Sequence, residues 1–146
     1  MALNALITVV NENRAVIHLV LHLLIPLLLA WLYTRSNQTH TAIKVRGEAI
    51  GVVGIFALLM VTMLVDMDHL IADPIYAPNR CSILFHPLHT LAPMVLYIVM
   101  CFWPTISKAV NRAVLNRDRI IACLGVGLCI HMILDAVDCL WMKACI

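Results

Sequence analysis

The chain has 146 residues, of which 63% are hydrophobic and only 12% charged, and its formal net charge is +2. Ordinary globular chains are about half apolar and about a quarter charged, so a mean hydropathy of +0.97 excludes an ordinary soluble domain and makes the bilayer the expected solvent. So small a net charge gives no ground for nucleic acid as a partner.

Residues 1–12 read as a short interfacial segment. The start "MALNALITVV" has no basic n-region, and the apolar run behind it is long enough to span, so no cleavable signal is expected. A spanning helix needs about 20 largely apolar residues. Four stretches qualify: 15–34, 48–69, 84–104 and 119–142. Pro26 and Pro93 are predicted to kink their helices. No alternating barrel pattern occurs, so helices are the spanning form. The expected fold is all-α: one polytopic domain over residues 1–146, a four-transmembrane-helix up-down bundle with both termini outside.

Basic residues set the expected orientation. Arg35, Lys44 and Arg46 fall between the first two spans, and Lys108, Arg112, Arg117 and Arg119 fall between the last two; the opposite side holds Arg14, Arg80 and Lys143. The richer side is predicted to be cytoplasmic. The termini and the 70–83 loop then face a periplasm or exterior across a bacterial inner membrane.

The polar residues gather at that outer level. His18 and His22 lie in the outer part of the first span. Asp66, Asp68 and His69 end the second, His86 and His89 open the third, and His131, Asp135 and Asp138 lie in the outer half of the fourth. Ionisable groups inside a membrane are costly and mark function by default. Imidazoles and carboxylates converging in low dielectric need a cation among them. The spacings agree: "HLVLH" and "HMILD" each put two ligand types at i,i+4 on one helix face. A nitrogen-and-oxygen ligand set without thiolates favours zinc, with manganese or iron as alternatives. The number of candidates exceeds what one tetrahedral ion uses, so two or more ions are expected.

Other residues read more plainly. Cys101, Cys123 and Cys129 lie in apolar runs, where cysteine acts as a small hydrophobe. Cys81, Cys139 and Cys145 lie near one predicted face, which leaves a bridge among them open. Asp73 before Pro74 reads as a loop residue and His40 in "SNQTH" as a solvated one. Arg80 is either an interfacial anchor or a contact for a lipid phosphate.

The early histidine, "DMDH" closing a helix, the following "HPLHT" and the late H-x-x-x-D together resemble the membrane-bound metal-dependent hydrolases. These are the LexA-regulated inner-membrane hydrolases and their small relatives, grouped distantly with zinc-dependent phospholipase C and the zinc single-strand nucleases. The resemblance covers about residues 15–140. This chain departs from the larger members in its histidine element, which is short and lacks their arginine and terminal H-S. The resemblance implies Asp68, His69, His86, His89, His131 and Asp135 as metal ligands, with His18 and His22 at the early ligand position.

The expected function is metal-assisted hydrolysis of a lipid phosphoester, with Asp66 or Asp138 as general base or ligand-orienting carboxylate. The expected partners are the membrane and a lipid substrate, and a homo-oligomer is compatible with the pattern. A di-iron lipid hydroxylase is the first alternative, although no H-x-x-H-H element occurs. A metal transporter or sensor is the second; it predicts pathway residues in the inner halves of the spans, which are almost empty of them.

Overall fold

The computed structural model describes residues 12–36, 42–71, 73, 75 and 80–144. Most of the expected interfacial segment at residues 1–12, the loop position His40, Pro74 and Cys145 lie outside the described residues.

Helix α1 runs Arg14–Ser36. Its buried positions His22, Pro26 and Ala30 repeat every four residues and make one stripe toward the other helices. The leucines and valines on its remaining faces are exposed. A short antiparallel hairpin follows, β1 (Lys44–Val45) with β2 (Glu48–Ala49). Its turn residues Arg46 and Gly47 both have positive φ, 55° and 90°, as a tight two-residue hairpin turn requires. The second expected span therefore starts late: residues 48–51 belong to the hairpin and the helix entry, and α2 runs Val52–Met60.

From Val61 to Ile71 the same rod tightens into a 3₁₀ helix. Three residues per turn then place Thr62, Val65 and Asp68 on one line, and all three are buried. Asp66 and His69 form a second line with the same spacing.

The third expected span differs most. Residues 84–90 are irregular except for a 3₁₀ turn at Pro87–His89, and α3 covers only Leu91–Cys101. The chain breaks at Phe102 and continues as α4, Trp103–Ala109, bent by 63°. Pro93 is not the kink; it sits in the first turn of α3, where its missing N–H has no partner to lose. The break instead falls next to Pro104, at the start of α4.

Helix α5, Asn116–Ala144, packs against every other helix. Asp118 in its first turn reaches back to the Leu115 N–H (2.8 Å) in a capping arrangement. Asp118 also accepts from Trp103 Nε1 and Arg112, each at 3.1 Å, which ties α4 to α5. The Asn116 amide exchanges two hydrogen bonds with the Lys44 backbone, both 2.8 Å, and holds the hairpin at the same end.

Helices α1, α2 with its 3₁₀ extension, and α5 are long and apolar enough to cross a membrane, and α3 with α4 makes a fourth such unit if the bent pair is one span. One buried cluster, Ala30, Ile43, Ile55 and Leu59, sits at the hairpin end; another, Val65, Tyr97 and Met132, lies nearer the histidines.

Two glycines let α5 approach its neighbours. A Cβ on Gly125 would stand 2.5 Å from the Cys101 backbone nitrogen, and one on Gly127 would stand 2.7 Å from Thr62 Cγ2. Gly125→Ala should therefore lower thermal stability by about 1–3 kcal/mol, the range for overpacking. Gly51→Ala, with nothing within 4 Å of its Cβ, should leave the melting temperature unchanged in the same assay.

Candidate metal centre

Helix α1, the 3₁₀ helix after α2, the loop before α3 and helix α5 deliver their ligand-type residues to one end of the bundle. Asp66 Oδ1, His89 Nε2, His131 Nε2 and Asp135 Oδ2 lie within 4.8 Å of one another. His131 Nε2 is 3.0 Å from Asp66 Oδ1 and 3.6 Å from Asp135 Oδ2. His89 Nε2 is 3.5 Å from Asp66 Oδ1 and 3.0 Å from Asp135 Oδ2. Four atoms bound tetrahedrally at about 2.05 Å from one ion would stand about 3.3 Å apart. The observed edges bracket that separation.

The histidine from the third segment carries a further sign. His89 Nε2 and Asp135 Oδ2 are buried, face each other and have no hydrogen-bond partner among the described residues. Their geometry suits a shared cation better than a shared proton. The other ring nitrogen, Nδ1, lies 3.2 Å from Asp68 Oδ2, which also accepts the Leu88 N–H at 2.8 Å. A carboxylate at Nδ1 holds the proton there and leaves the Nε2 lone pair pointing into the cluster. Asp68 thus stands behind His89 with one oxygen.

A second group shares a residue with the first. His18 Nε2 and His22 Nε2 lie 3.3 and 3.6 Å from Asp135 Oδ1. His22 Nδ1 donates to the His18 carbonyl at 3.0 Å. A carbonyl can only accept, so Nε2 of His22 is the unprotonated nitrogen in the neutral ring, and it is buried without a hydrogen bond. Asp135 therefore turns one oxygen toward His18 and His22 and the other toward His89 and His131. A carboxylate so placed can bridge two ions.

Asp68, His69 and His86 form a third group. The His69 and His86 rings stack at 3.7 Å. Both His69 nitrogens already have partners: Nδ1 donates to the Asp66 carbonyl at 3.1 Å, and Nε2 accepts from the Ser82 hydroxyl at 3.1 Å. Asp68 Oδ1 and His86 Nδ1 are buried without hydrogen bonds. This group packs directly behind His89 and shapes the wall of the first.

The centre is partly open, at Asp66, His69 and His18. The Asp66 side chain is 39% exposed, whereas those of His89, His131 and Asp135 are 0%, 2% and 6% exposed. Asp138 lies apart from the three groups, in an ion pair with Arg14 at 3.5 Å. Arg14, His18 and His22 are spaced by four on α1 and share its inward face. The sequence carried that signal for Arg14, and the ligand pattern alone overlooked it. Arg80 stacks over Phe85 at 4.6 Å and donates to the Ile75 carbonyl at 3.0 Å.

The loop that presents His86 and His89 is tied down on all sides. The Leu84 N–H bonds the His89 carbonyl, and Tyr97 Oη donates to the Leu88 carbonyl at 3.1 Å. Leu84 holds a positive φ of 65°, a strained position for its side chain, beside the centre. Cys81 and Cys139 are joined by a disulfide that fastens this loop to the far end of α5. Reducing it, or making Cys81→Ser, should lower both the melting temperature and metal retention after dialysis. Equal retention in reduced and oxidised protein would detach the bridge from the site.

The sequence matches the family described as a family of unknown function (DUF6122) over residues 13–142. No curated protein and no solved structure matches the chain.

Proposed function

The chain belongs to that DUF6122 family, and from the geometry of its centre we propose that it is a membrane-embedded hydrolase dependent on two divalent ions, zinc first, acting on a lipid phosphoester. The observation that carries this reading is Asp135, whose two oxygens face two separate histidine groups. The resemblance of the D-M-D-H, H-P-L-H-T and H-x-x-x-D elements to membrane-bound metal-dependent hydrolases supports it.

One ion would be held by Asp66, His89, His131 and Asp135, and the other by His18, His22 and Asp135. The second ion, with three protein ligands, would keep a position open for water, and the pair would supply Lewis acidity toward that water and a phosphoryl oxygen. The remaining work falls to the chain. Asp68 fixes the His89 ring. Asp66, the most exposed of the four carboxylates, would give Oδ1 to the ion, and its other oxygen is left to take a proton from water. Arg14, half-buried beside Asp138, supplies positive charge next to His18 for an anionic head group. Asp138 then positions Arg14 and does not act as the base.

Four spans are proposed in an inner membrane, with α3 and α4 together as the broken third. The hairpin, the α4–α5 loop and the helix ends beside them carry most of the basic residues, and hairpin and α5 touch through Asn116, which supports their lying on one side, the cytoplasmic one. The Cys81–Cys139 bridge is at the opposite end, with the centre, and suits an oxidising exterior. A substrate with its phosphate at the interface and its tails in the bilayer fits a centre at that depth.

Phosphate release from a panel of phospholipids and prenyl phosphates, by chelated and zinc- or manganese-reloaded protein in mild detergent, tests the reading. Activity lost on chelation and restored by metal supports it. A stoichiometric iron centre with oxygen consumption and no phosphate release overturns it in favour of lipid oxidation. Within an active system, Arg14→Gln should raise KM about tenfold, as the loss of a charged hydrogen bond does. Its metal content should stay at the wild-type value.

A further inference from the structure

At the end of the bundle remote from the histidines, α1, α2, α4 and α5 part around a cavity of about 630 Å³. That size falls within the range of small-molecule sites, about 300–1,000 Å³. Its walls are apolar, formed by Leu29, Leu32, Ile55, Leu59, Ala122 and Val126, and its rim carries Lys108 and Arg119. Along α1, residues 22 and 33 are separated by about 16 Å of helix rise, so this cavity is not the approach to the metal centre.

The cations at the rim are unevenly balanced. Arg35, Lys44, Arg46, Lys108, Arg112, Arg117 and Arg119 gather at this end, against Glu48 and Asp118. Asp118 is fully buried and already holds Arg112 at 3.1 Å. Lys108 has no ion pair among the described residues. Arg119 donates to the Ala42 carbonyl at 3.2 Å, which fixes its guanidinium beside the opening. A tail-sized apolar groove capped by uncompensated positive charge matches one class of molecule in a bilayer, a lipid with an anionic head group.

We propose that this cavity is a binding site for an anionic phospholipid, with an acyl chain between α1 and α5 and the phosphate at Lys108 and Arg119. The site does not depend on the hydrolase reading. A zwitterionic lipid fills the groove less well because its own cation meets Lys108. The bound lipid wedges between the bent α4 and α1 and fastens the broken helix pair to the bundle.

Native mass spectrometry of the full chain in mild detergent, given equal phosphatidylglycerol and phosphatidylcholine of one chain length, tests this. The wild type should retain phosphatidylglycerol about thirtyfold over phosphatidylcholine, the factor that two surface cations contribute at about 1 kcal/mol each. Lys108→Glu, an exposed change that leaves the core intact, should erase the preference. Ala122→Trp should fill the groove and lose both lipids. Asp135→Asn should retain phosphatidylglycerol as the wild type does, because the metal centre is elsewhere. Equal retention of the two lipids by the wild type, an unchanged preference in Lys108→Glu, loss of retention in Asp135→Asn, or a dimer that excludes lipid would each overturn the proposal.

Discussion

Asp135→Asn is expected to empty both ion positions at once. The amide keeps the size of the carboxylate but removes the negative charge between His18 and His22 on one side and His89 and His131 on the other. One of its two ends becomes an NH₂ group that donates and cannot ligate. Metal content should fall from about two equivalents per chain to under half an equivalent, and hydrolysis to background, given the 10–16 kcal/mol scale of metal-ligand sites. Chelation should lower the melting temperature of the wild type, because ions bound only to the folded state stabilise it. It should leave that of Asp135→Asn unchanged. A variant that keeps wild-type metal content would remove Asp135 from the bridge.

Asp68→Asn is expected to act differently, through His89. Asp68 Oδ2 faces His89 Nδ1 at 3.2 Å, and its other oxygen lies 3.1 Å from His69 Nδ1. Losing such a supporting carboxylate weakens metal affinity by about 10–100-fold while the ligands remain. Saturating zinc should therefore restore full stoichiometry, and competition with a chromophoric chelator should read the loss of affinity. His89→Ala, by contrast, removes a proposed ligand atom and should not be rescued by added zinc. If Asp68→Asn also resists rescue, then Asp68 binds an ion directly.

Much of this centre could be read from residues alone. A bilayer makes ionisable side chains expensive, so His18, His22, Asp66, Asp68, His69, His86, His89, His131, Asp135 and Asp138 stand out against an apolar background. Helical spacing grouped His18 with His22 and His131 with Asp135, and the structure places both pairs around one carboxylate. The roles within "DMDH" were hidden. A 3₁₀ period sends Asp66 to the mouth and Asp68 behind His89, and apolar patterning does not announce a switch from 3.6 to three residues per turn.

The remaining differences also have local causes. The hairpin at residues 44–49 follows from Arg46-Gly47 turn chemistry, which the hydropathy of the run after it outweighed. The break at Phe102 was invisible because Trp103, Pro104 and their neighbours are apolar enough to continue a span. Asp118 belongs to no ligand pattern in the sequence, yet it is fully buried and joins Trp103, Arg112 and Leu115. The partner of Cys81 depended on where the 80–89 loop folds back, which spacing does not state.

A carboxylate-bridged pair of ions is read out by elemental analysis of the wild-type chain. Protein purified in mild detergent without chelator, with its disulfide intact, should carry about two equivalents of zinc, or of manganese or iron in its place, per chain. A folded chain that holds no stoichiometric metal, even after incubation with each of these ions, would rule out the bridged pair.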